Sequence, residues 1–133
     1  GDGLGKQAAR AAEGAAQYFL VRNLFRRKRD GAVITKDFAR IQYPIQFYDV
    51  LSVLQVMAET GRIGDPRCGE ALALLRSKQL PDGGFPLESL NARTSAEVIT
   101  RGTFADWGPS GKRKANPLVT VTALWILESV RGR

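Results

Sequence analysis

Residues 66–85 read PRCGEALALLRSKQLPDGGF, a helix that runs into a glycine turn with an aromatic residue just beyond it. Asp65 stands ahead of the stretch, and its carboxylate can accept from the free amides of a first helical turn. Pro66 suits the first helical position, where a missing N–H costs nothing. Cys68, Ala71, Leu72, Leu75 and Gln79 fall at i, i+3, i+4, i+7 and i+11, a single stripe that Leu74 widens. Arg67, Glu70, Arg76 and Lys78 lie mostly off it. This pattern predicts an amphipathic helix with one buried face, and Arg76 and Lys78 complement the dipole at its C-terminal end. Pro81 ends the helix. Asp82-Gly83-Gly84 makes the turn, because glycine reaches positive φ without a Cβ clash, and Phe85 follows as an apolar anchor.

Gln79-Leu80-Pro81-Asp82-Gly83-Gly84-Phe85 has the form Q-x-x-x-G-x-aromatic, with Leu74-Leu75 ahead of it. In this it resembles the repeat motif of the squalene cyclase and protein prenyltransferase superfamily. That resemblance implies an α/α toroid, an inner ring of helices inside an outer ring. It also implies that Gln79 closes an outer helix by hydrogen bonding while Phe85 packs over it and ties adjacent repeats together. Gln79, Asp82, Gly83 and Phe85 would then be structural repeat residues. The chain departs from the motif at Phe85, where Trp is usual, and at Leu74, where an aromatic is common. The alternative is an ordinary helix stop in some other helical fold.

The flanking segments have the character such a ring requires. A helix opening at Gln46 or Phe47 and running to Thr60 carries Val50, Leu51, Val53, Leu54, Val56 and Met57, apolar on nearly all sides and so expected to be buried. The last helix, capped by Asn116 and started by Pro117, repeats that character through Leu118, Val119, Val121, Leu124, Trp125 and Ile126. Toward the N-terminus, residues from Lys6 to about Phe25 predict a long alanine-rich helix whose apolar face runs Ala8, Ala11, Ala12, Ala15, Tyr18 and Phe19. Gly1–Gly5 reads as a frayed terminus, since the following Lys6-Gln7 lacks the spacing and hydroxyl of a phosphate-binding loop. The stretch from Phe19 to Gly31 resembles a decayed copy of the repeat that has lost its Gln. Val33-Ile34-Thr35 predicts a brief strand. The segment 86–116 is irregular, an insertion with one short helix expected over Thr94–Arg101 and loop chemistry at Trp107-Gly108-Pro109-Ser110-Gly111.

Composition narrows the chemistry. At 133 residues the chain suits one domain with a real core. It has no histidine, which removes His-based triads and His-bearing zinc sites, and its single cysteine rules out a thiolate-rich metal site. We therefore expect no metal and no cofactor. Cys68 lies on the apolar stripe and reads as a small core residue, and a lone thiol fits a reducing, cytoplasmic setting. No apolar run approaches the length of a membrane span, and no signal peptide opens the chain. The start at Gly-Asp-Gly rather than Met suits a piece of something longer. The net charge of +7 permits contact with nucleic acid or an anionic membrane surface without establishing either. Arg26-Arg27-Lys28-Arg29 reads as a phosphate-contacting patch or, preferably, as a solvated helix end facing the C-terminal dipole. With Lys112-Arg113-Lys114 its only companion and no helix-turn-helix or RNA-binding signature, nucleic acid is not the expected partner.

The expected architecture is all-α: antiparallel helical hairpins in a partial α/α toroid, with four long helices in the order outer, inner, outer, inner. About two helical pairs cannot close a ring that the resembled family builds from six. The chain is thus expected to be part of a longer one or to self-associate. The cyclase Asp-x-Asp-Asp acid has no counterpart here, so the resemblance carries over no catalytic residue. Tyr48, Asp49, Trp107 and Trp125 are candidate pocket residues on physical grounds, suited to an apolar, isoprenoid-like small molecule. For Trp125 the competing role is core, for Asp49 a partner at a helix N-terminus, for Trp107 a cover over the end of the core. Three functions follow: an apolar-ligand-binding piece of such a toroid, a helical-repeat module holding another protein, and a basic helical domain on nucleic acid.

Overall fold

The computed structural model describes residues 2–43, 48–90 and 107–132. Among these, the chain forms four α-helices, two 3₁₀ turns and one pair of two-residue strands. Helix α1 spans Asp2–Leu20. It therefore includes Gly3 and Gly5, where a frayed end was expected. Those glycines cost about 1 kcal/mol each relative to alanine, yet no proline interrupts the alanine-rich run. The helix stops earlier than the predicted Phe25 because Asn23 takes a left-handed φ of 48°. Leu24 N–H then donates to the Phe19 carbonyl at 2.8 Å and Asn23 N–H to that of Leu20 at 3.0 Å, closing the last turn. Leu24 follows, also at positive φ (73°), with its side chain fully buried. The apolar face predicted for α1 is not covered: Ala8, Ala11, Ala12 and Ala15 are exposed, and only Ala16 and Leu20 are buried.

The stretch beyond α1 closes as a hairpin rather than as a second repeat motif. Arg26 pairs with Val33 in a single antiparallel bridge, and Gly31 sits at φ 73° in the turn. Of the predicted strand, Val33 alone makes that bridge. Thr35 instead caps a 3₁₀ turn, Lys36–Ala39, by accepting from Asp37 N–H. That turn buries Phe38, which stacks on Phe25 at 4.7 Å.

Helix α2 spans Val50–Glu59 and begins later than predicted, since Asp49 is its cap. Gln46 and Phe47, the expected first residues, lie outside the described residues. Val50, Leu51, Val53, Leu54, Met57 and Ala58 are buried, although the predicted all-round burial fails at Val56, which is half exposed. Gly61 ends α2 at φ 76°, with Arg62 N–H donating to the Met57 carbonyl at 2.7 Å. Asp65 caps as expected, but the turn it opens is 3₁₀ over Pro66–Cys68, and α3 proper is Gly69–Ser77. Helix α4 spans Pro117–Arg131, capped by Asn116 and started by Pro117 as the sequence predicts.

Helix α2 packs against both α3 and α4. Ala71, Leu72 and Leu75 of α3, Val119, Ala123 and Ile126 of α4, and Phe85 and Leu87 between them join α2 in one core. Each large side chain buried there contributes about 1.5–3 kcal/mol before entropy is counted. One feature breaks the all-helical expectation. Strand β1 (Gln42–Tyr43) pairs in parallel with β2 (Ser89–Leu90). The carboxylate of Glu88 fixes this junction by accepting from Ile41 N–H and pairing with Lys78 at 2.6 Å, an ion pair mostly withdrawn from water. The expected short helix at 94–101 lies outside the described residues. No helix among the described residues is long and apolar enough to cross a membrane.

Candidate functional site

The 79–85 turn is built by its own side chains. Leu80 N–H donates to the Gly84 carbonyl and Gly83 N–H to the Leu80 carbonyl, both at 2.8 Å, with Gly83 at φ 87°. Asp82 Oδ1 accepts from Gly84 N–H, and Gln79 Nε2 donates to the Gly83 carbonyl at 3.0 Å. Gln79 is exposed and lies beyond the end of α3, so its bond spans the turn rather than the helix. Phe85 is fully buried, and its backbone holds α4: its N–H donates to Thr120 Oγ1 at 2.9 Å, and its carbonyl accepts from Asn116 N–H at 2.8 Å. A Cβ on Gly84 would stand 2.5 Å from that of Ala115, so only glycine lets this turn approach the start of α4.

The turn thereby seats α4 with one apolar face inward and a second outward. Leu118 (47% exposed), Val121 (68%), Leu124 (45%) and Trp125 (45%) form that second face. On an ordinary helical surface these positions carry polar side chains. Two grooves run beside it. One, of about 590 Å³, lies between the 82–84 turn and Pro117, Thr120 and Leu124. The other, of about 740 Å³, lies between Arg76 and Gln79 on one side and Trp125, Leu127 and Arg131 on the other. Leu124 and Gln79 line both, so the two grooves share a wall.

The four candidate pocket residues do not converge there. Only Trp125 lines either groove. Tyr48 belongs to an aromatic cluster, edge-on to Phe19 at 5.6 Å and to Phe38 at 5.7 Å, and partial burial pushes its hydroxyl pKa up. Asp49 is a buried cap: Oδ1 accepts from Ser52 N–H at 2.8 Å and Oδ2 from Gln42 N–H at 2.9 Å. Burial raises its pKa although those donors pull the other way, and with both oxygens engaged it holds the start of α2 against β1. Trp107 stacks on Tyr43 at 5.4 Å, its carbonyl accepts from Asn116 Nδ2 at 2.6 Å, and its buried indole N–H finds no acceptor among the described residues. That carbonyl helps hold the Asn116 cap at the start of α4. Cys68 is fully buried, with its thiol pushed up to about 11 by burial, which suits a core residue.

The basic cluster is not at a helix end, since α1 stops at Leu20. It sits on the hairpin, where Arg26 pairs with Glu70 of α3 at 2.8 Å and Arg27 with Asp30 at 2.7 Å. Lys28 and Arg29 are left for any phosphate. Among the described residues no group of His, Cys, Asp and Glu is placed to hold a metal ion. Lys78, Glu88, Thr120 and Gly84 do structural work that pattern reading did not find. Their partners lie between ten and 47 residues away in the chain, and no local signal announces such a pairing. Comparison of the chain with protein-family models, with curated proteins and with solved structures yields no match.

Proposed function

We propose that this chain is a helical-repeat binding module of the α/α-toroid type whose working surface is the outward face of α4 with its two grooves. It takes an apolar partner there. The observation that carries this reading is the line of exposed large apolar side chains, Leu118, Val121, Leu124 and Trp125, on a helix whose opposite face is already buried. Apolar patches of about 300–600 Å² on a single chain are commonly functional. The toroid part rests on the form of the 79–85 stretch and on buried Phe85, which ties the turn to α4, while Gln79 bridges the turn and does not close α3. An isoprenoid-length chain lying along Leu124 and Trp125 suits the chemistry of the surface. Nucleic acid is the weaker reading, because two of the four clustered cations at 26–29 are spent on Glu70 and Asp30.

The test is titration with the neutral apolar fluorophore N-phenyl-1-naphthylamine. The native chain should bind it with enhanced emission. Val121→Glu should lose that binding while keeping its urea midpoint, since Val121 faces water and supports no core contact. Absence of binding, or equal binding by the variant, would contradict the reading.

A further inference from the structure

Cations stand at both ends of α4 and beside its larger groove. Lys112, Arg113 and Lys114 stand exposed in the turn just before it, and none of the three has an acidic partner among the described residues. Arg131 closes its far end, held only loosely by Glu128 at 3.7 Å. Arg76 lines the larger groove with Trp125 and has no acidic partner among the described residues. The residues lining the two grooves include the cations Arg76 and Arg131 and the carboxylates Asp82 and Glu128, so Lys112–Lys114 tip the described residues around α4 toward positive charge. An apolar helix face that carries a tryptophan and has cations at its ends is the composition that sits in the headgroup layer of a bilayer.

We infer that α4 docks on an anionic lipid surface, its axis lying in the membrane plane, with Leu118, Val121 and Trp125 entering the acyl boundary and Lys112–Lys114 meeting the headgroups. This rests on the reading of the α4 face as an apolar binding surface and names its partner. A second copy of the chain fits less well. With side chains of about 150–250 Å² each, the four apolar residues expose roughly 300–400 Å², against about 800 Å² per partner in a stable protein interface. A symmetric pairing would also bring the five cations toward their own copies. A bilayer asks for neither a matched shape nor so large an area, and it supplies the opposite charge.

The experiment is co-sedimentation of the full chain with sucrose-loaded vesicles of phosphatidylcholine, with and without phosphatidylserine. Binding should require phosphatidylserine and weaken as salt is raised. Val121→Glu should abolish it. The triple variant Lys112→Ala, Arg113→Ala, Lys114→Ala should weaken it by roughly two orders of magnitude while leaving N-phenyl-1-naphthylamine binding unchanged. Equal sedimentation with and without phosphatidylserine, or full binding by Val121→Glu, would overturn the lipid assignment. So would a doubling of solution mass that Val121→Glu abolishes, with no vesicle binding, which would give the face to a second copy. If the fluorophore binds and vesicles do not, the lipid inference falls and the apolar-surface reading stands; if neither binds, both fall.

Discussion

Helix α1 turns Ala8, Ala11, Ala12 and Ala15 to solvent; helix α4 turns Leu118, Val121, Leu124 and Trp125. The periodicity of the sequence marks both faces as apolar, yet they differ in what exposure costs. A methyl group left in water forfeits about 0.8 kcal/mol, a leucine or tryptophan about 1.5–3. Alanine also favours the helix for its own sake, so α1 stands without burying its stripe. Among the described residues its ties to the body are few: Ala16 and Leu20 are buried, Phe19 meets Tyr48 edge-on, Arg62 pairs with Glu13, and Arg67 Nη1 reaches Gln17 Oε1 at 3.4 Å. Helix α4 is held on its inner side by Val119, Ala123 and Ile126 and at its start by Asn116 and Phe85. The lesson is that an apolar stripe says which face is able to be buried, and side-chain size says whether it must be.

Four substitutions sharpen the contrast. The largest effect falls on the seat of α4. Phe85→Ala should cost about 3–5 kcal/mol in urea unfolding, the range for a deleted buried aromatic. A loss under about half a kcal/mol would mean that the 79–85 turn does not anchor α4. Asn116→Ala comes next, at about 1–3 kcal/mol. It removes the side chain that accepts from Leu118 and Val119 N–H and donates to the Trp107 and Pro109 carbonyls. A thermal melt indistinguishable from the parent would count against this.

Glu13→Gln probes α1 alone. Amide exchange, corrected for intrinsic rate, should quicken in α1 and stay unchanged in α4. Because the bond from Arg62 lowers the pKa of Glu13, this tether is fully formed above the usual carboxylate range and is lost as pH falls through the lowered value. Acidification should therefore loosen α1 before α4, and an α4 that loosens first would refute the tether. The smallest effect belongs to Arg27→Ala. Its pair with Asp30 is about half exposed on both sides, so stability should stay within about 0.5 kcal/mol by chemical denaturation.

What the sequence made legible was chemistry acting over a few residues. Asp65 and Asn116 cap because a short polar side chain meets free amides two or three residues on. Gly83 turns because it alone accepts positive φ there, and Phe85 is buried as an apolar residue beyond such a turn should be. The helical class followed from periodicity. The parallel pairing of Gln42–Tyr43 with Ser89–Leu90 did not, for two residues carry no period and their partners are 47 positions apart. The Lys78–Glu88 pair was hidden because Lys78 reads equally well as a dipole partner. Of the four candidate pocket residues only Trp125 lies at the grooves. Tyr48 and Asp49 stand at a helix start and Trp107 in a loop, and aromatic or acidic residues in such places serve as caps and covers as readily as they serve ligands.

Trp125 and Tyr18 give the two exposed faces one reporter each, 45% and 54% accessible. Hydroxyl-radical footprinting of the chain with and without saturating N-phenyl-1-naphthylamine reads both in a single experiment. The account predicts that oxidation of Trp125 falls on binding while Tyr18 is unchanged. Protection of Tyr18 with Trp125 unaffected, or no protection at either, would contradict the assignment of α4 as the working surface.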